Sequence, residues 1–111
     1  MRFYGIASEE RALEISESIN SGEWVFEDTK EGSREVLSSE GAKEKIRWLV
    51  GEVKRWKESL TTLTKGTVFI FVHEPSDPRA FKVYDTSSLG CSTSITPPRW
   101  KLYLRDLEGK V

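Results

Sequence analysis

Few side chains in this 111-residue chain have the types and neighbours that chemistry needs, and the first to weigh are His73, Glu74 and Arg79. An imidazole beside a carboxylate can act as base and acid in metal-independent RNA cleavage, with Arg79, Lys82 or Arg99 holding the phosphate. Adjacent strand residues point to opposite faces, however, so His73 and Glu74 converge only if the chain bends at Pro75. The plainer reading of His73 is a strand-end imidazole hydrogen-bonded at the surface. Cys91, the single cysteine, lies in a Ser/Thr-rich stretch. As a nucleophile it needs His73 for its base, a contact only the fold can supply, and otherwise it is a small unreactive loop side chain. One His and one Cys cannot build the nitrogen- and sulfur-rich sets of zinc sites, and the carboxylates follow no calcium-loop spacing, so no metal is expected. The eight glycines are all isolated, which leaves no phosphate-cradling loop and no expected nucleotide cofactor.

The more substantive pattern is one of recognition. If Trp100, Leu102, Leu104, Phe81 and Val83 face a core, then Lys82, Tyr84, Lys101, Tyr103 and Arg105 share the opposite side of two strands. Cations interleaved with rings on a sheet suit single-stranded nucleic acid, with rings stacking bases and cations meeting phosphates. They equally suit an acidic protein partner. The plain reading is a solvated sheet face that sets strand-favouring Tyr between Lys and Arg. On the long helix, Lys43, Arg47 and Lys54 could extend a basic surface. Trp48 lies off the apolar stripe there, as a second packing contact or as an exposed anchor; cover for the N-terminal strands favours packing.

The elements that would position these residues follow from periodicity. Residues 1–7 read as a strand. Ser8 can cap a helix over 8–20, with Glu9 and Glu10 at its positive end and Ala12, Ile15 and Ile19 on one face. Residues 23–27 read as a second strand and 28–38, polar and without period, as a surface loop. From about Ser39, Ala42, Ile46, Leu49, Val53, Trp56 and Leu60 alternate four- and three-residue steps, the signature of a long amphipathic helix over 39–61. Gly51 lies opposite that stripe. The run TVFIFVH (67–73) has the pattern of a strand buried on both faces, 80–85 forms a hairpin with it, 86–98 is a loop, and 100–106 is a last alternating strand. The expected architecture is one α+β domain over residues 1–111, with four to five strands in a mainly antiparallel sheet packed on the long helix.

Composition bounds the rest. A hydrophobic fraction of 37% is modest, but five Phe, four Trp and three Tyr can bury enough area for one core. The charged fraction of 32% with one Met, one Cys and one His is a composition met in heat-stable proteins. No disulfide can form within the chain, no run reaches the length of a membrane span and no leader pattern opens it, so a cytoplasmic, soluble protein is expected. The net charge of −1 hides an uneven distribution. Residues 1–40 hold ten acids and four bases, and residues 41–111 hold thirteen bases and eight acids. A non-enzymatic binding protein of regulator or inhibitor type, contacting a protein or a single-stranded nucleic acid, fits this best. The alternative is a small metal-independent ribonuclease or toxin-like protein, since helices first and an antiparallel sheet last is similar in outline to those enzymes, although none of their motifs aligns. Oligomeric state is not legible.

Overall fold

The computed structural model describes residues 2–59, 68–85 and 97–111. The chain runs β1 (Tyr4–Ile6), α1 (Glu9–Ser16), β2 (Trp24–Asp28), β3 (Ser33–Leu37), α2 (Ser39–Ser59), β4 (Ile70–His73), β5 (Ala80–Val83) and β6 (Trp100–Leu104), closing on a 3-10 turn at Arg105–Leu107. The strands form a six-stranded sheet in the order β1-β4-β5-β6-β2-β3, and every neighbouring pair is antiparallel. The class is the expected α+β, with six strands where the alternation indicates four to five.

That extra strand comes from the segment expected to be a loop, 28–38. Asp28 ends β2 and its carboxylate accepts the Lys30 and Glu31 amides at 3.0 and 3.1 Å, turning the chain locally. Gly32 then takes φ +70°, a conformation that glycine adopts without a steric cost, and the chain returns as β3, paired residue for residue with β2. β3 lacks the alternation of a half-buried strand because four of its five residues are exposed.

The helices cover one face of the sheet. Ser8 Oγ accepts the Arg11 amide at 3.2 Å, as a helix N-cap should. α1 ends at Ser16 rather than near residue 20, because the Ser18 and Ile19 amides turn to the carbonyls three residues back and tighten the chain. Ile19 stays buried all the same. On α2 the stripe residues Ala42, Ile46, Leu49 and Val53 are buried and Val50 widens them by one position. Trp56 is half-buried at the stripe's end, and Leu60 lies outside the described residues. These residues meet Phe26, Ile70, Val72, Phe81, Val83, Trp100 and Leu102 from the sheet in one core. β4 corrects a second expectation. Rather than being buried on both faces, it alternates, with Ile70 and Val72 buried and Phe71 and His73 half-buried, since among the described residues only one side of the sheet carries helices. Among the described residues, no helix is long and apolar enough to cross a membrane.

Candidate binding face

The helix-free face is laid out by strand register. One row across it carries Gly5, Phe71, Lys82, Lys101, Glu27 and Arg34, and the next carries His73, Ala80, Tyr103, Val25 and Val36. Its small apolar centre is Val25, Ala80 and Tyr103, overlaid by Phe3 from the N-terminal segment and by Leu107 and Val111 from the C-terminal one.

Of the five residues expected on this face, Lys82 and Lys101 are direct cross-strand partners, and both are half-buried. The Lys82 ammonium stands 4.3 Å from the Phe3 ring centroid, and the Lys101 ammonium donates to the main-chain oxygen of Val111 at 3.2 Å. Tyr84 follows β5, half-buried, with its ring edge-to-face on Phe71 at 5.5 Å. Tyr103 does not stand out as an exposed ring. It is only 2% exposed, because the C-terminal segment folds over it, and its hydroxyl donates to Glu27. Burial, and then that bond, holds the phenol well above its ordinary range. Arg105 also departs from expectation, since β6 ends at Leu104. The guanidinium sits in the closing turn and pairs with Glu23 at 2.7 Å.

Charge pairing separates the two lysines from most of the other cations. Arg11, Arg34, Lys45, Arg47, Arg55, Lys57, Arg79, Arg99 and Arg105 each have a carboxylate within ion-pair distance. Among the described residues Lys82 and Lys101 have no Asp or Glu side chain within ion-pair distance, although they face each other. Glu27, opposite Lys101 on β2, accepts from Tyr103 instead. Burial lowers the Lys82 pKa below its ordinary value, and the neighbouring Lys101 charge lowers it further. Phe3, Glu27 and the 107–111 segment are the parts of this site that sequence reasoning missed. Glu27 alone left a signal, two positions from Val25 on an alternating strand.

The residues of the alternative catalytic reading are each held separately. His73 Nδ1 lies 2.7 Å from the Arg2 carbonyl oxygen and its ring is tilted against Phe3 at 5.7 Å. Glu74, exposed, adopts φ +58° and opens the turn in which its carbonyl accepts the Asp77 amide. Arg79 pairs with Asp77 at 3.3 Å. Cys91 lies outside the described residues, as does most of the 86–98 segment. No group of three or more His, Cys, Asp or Glu side chains among the described residues could hold a metal. The Trp48 ring is 48% exposed, with one edge on Trp100 at 5.2 Å, so it is both a packing contact and an open surface.

The chain is 54% identical over 110 residues to an uncharacterized protein of Aquifex aeolicus (strain VF5), an alignment that spans 99% of this chain and 89% of that one. It belongs to that protein's family. No family model matches the chain, and no solved structure matches it.

Proposed function

We propose that this chain is a non-enzymatic binding protein whose helix-free sheet face receives an acidic segment of a protein partner. The observation that carries this reading is the cross-strand pair of Lys82 and Lys101, half-buried and without an Asp or Glu partner among the described residues. Two ammonium groups held side by side repel each other in the free protein, and an incoming carboxylate between them relieves that repulsion while gaining both charges. An acidic peptide fits better than single-stranded RNA because the rings that would stack bases are engaged. Tyr103 is buried, Phe3 caps Lys82, and Phe71 and Tyr84 are set against each other. A catalytic role finds less support, since His73 bonds the Arg2 carbonyl, Arg79 pairs with Asp77 and Glu74 opens a turn.

The test is fluorescence anisotropy with labelled poly-glutamate and labelled poly(U), across a salt series, for the wild type and a Lys82→Ser/Lys101→Ser variant. The wild type should prefer poly-glutamate, and the variant should lose about tenfold or more in affinity, roughly 1.4 kcal/mol, with a flatter salt dependence. Tighter binding of poly(U) would replace the protein partner with a nucleic acid. Cleavage of that RNA in EDTA would overturn the binding reading altogether.

A further inference from the structure

We infer that β3 is a self-association edge, through which a second copy of this chain extends the sheet by antiparallel pairing about a two-fold axis. Among the described residues β3 is the last strand of the sheet, and four of its five residues are exposed. Proteins usually guard such an edge with proline, a bulge or uncompensated charge. Here the residues are Ser33-Arg34-Glu35-Val36-Leu37 with no proline, and the two charges are neutralised within the chain. Arg34 is bidentate to Glu108 at 2.6 and 2.8 Å, and Glu35 pairs with Lys45 at 3.0 Å. Among the described residues, two of the three exposed large hydrophobics lie on or beside this strand. Val36, 42% exposed, lies on its helix-free side, and Trp48, 48% exposed, stands on α2 above a groove lined by Glu35, Leu37, Gly41, Glu44 and Lys45.

Register decides the occupant. A two-fold axis normal to the sheet keeps each face on its own side, so only residues of the same face can stand opposite each other. Centring the pair on Glu35 sets Glu35 against Glu35, and centring it on Arg34 sets Arg34 against Arg34; both are like-charge clashes. Centring it on Val36 sets Val36 against Val36 and Glu35 against Leu37 in both directions, with no like charges opposed. That register covers the exposed valine and lays each copy's Leu37 along the other's groove beneath Trp48. Both helix-free faces then look the same way. This goes beyond the proposed binding of an acidic segment and does not rest on it.

The experiment is sedimentation equilibrium of the full chain over a wide concentration range, joined to cysteine cross-linking in a Cys91→Ser background. Wild type should dimerise reversibly, and Val36→Lys should weaken the dimer by about tenfold or more, because it opposes two ammonium groups at the axis. Residues facing each other across an antiparallel pair lie within disulfide reach, so oxidised Val36→Cys should give a covalent dimer and Glu35→Cys should not. A wild type that stays monomeric throughout, a Val36→Lys dimer as strong as wild type, or cross-linking through Glu35→Cys would overturn the proposal. Lys82→Ser/Lys101→Ser should dimerise as wild type does, which keeps this outcome separate from that of the binding test.

Discussion

Tyr103 commits its hydroxyl to Glu27 from a buried position, and that one bond accounts for much of how the proposed binding face is set. Glu27 is the cross-strand neighbour of Lys101, yet its carboxylate accepts from the tyrosine, and the lysine pair has no Asp or Glu partner among the described residues. Tyr103→Phe should cost about 1.5 kcal/mol, since a hydrogen bond to a charged group is lost and the carboxylate is left without its donor. Urea denaturation checks this. The same residue makes a signed claim about pH. Its phenol is raised above the ordinary 10.0 in the folded state, so above about pH 10 the unfolded chain ionises first and draws the equilibrium towards itself. The contribution is whole below that pH and is lost as pH rises through the folded pKa. Tyr103→Phe should therefore show a flatter alkaline decline in stability than wild type, and an identical decline would contradict the assignment. Alternation indicated which way Tyr103 points, and the structure agrees on the direction. What alternation could not reveal is that another segment folds over that side.

At the scale of elements, α2 was the most legible part, because four- and three-residue steps of apolar side chains have one physical meaning. Ala42, Ile46, Leu49 and Val53 are buried as that spacing requires. The aromatic end of the stripe adds something the period does not contain. Trp56 stacks on Trp100 at 5.4 Å and meets Phe69 edge-on at 5.7 Å, whereas Trp48 touches Trp100 with one edge only. Trp56→Ala should cost about 3 kcal/mol, as truncations of large packed rings do, and Trp48→Ala about 1 kcal/mol, the scale of a single aromatic pair. The order of their denaturation midpoints checks the phasing of the helix, and reversal would contradict it. β3 was illegible for the complementary reason. An exposed edge strand has no buried face, so it leaves no alternation, and only Asp28 and Gly32 marked the turn that creates it. The continuous apolar run of β4 does not say how many faces are covered, so the alternating burial of Ile70–His73 is not legible in it.

For the whole molecule, the acidic excess of the first forty residues and the basic excess of the remainder pointed to a basic surface without placing it. Sheet order decides the placement. β6 inserts between β5 and β2, a long-range choice that brings Lys101 beside Lys82 on one side and Glu27 on the other, and nothing local in the sequence specifies it. Both helices sit on the opposite face, so the lysine pair is reached from solvent past the two chain ends that lie over the sheet. The most direct test is to titrate the 15N-labelled chain with a glutamate-rich peptide and follow the amide resonances. Shifts should appear first at residues 80–84 and 100–104, should leave the middle of α2 unmoved, and should fade with added salt as the charges are screened. Shifts confined to the helical side, or unchanged in Lys82→Ser/Lys101→Ser, would contradict the claim that the helix-free face is where this protein binds.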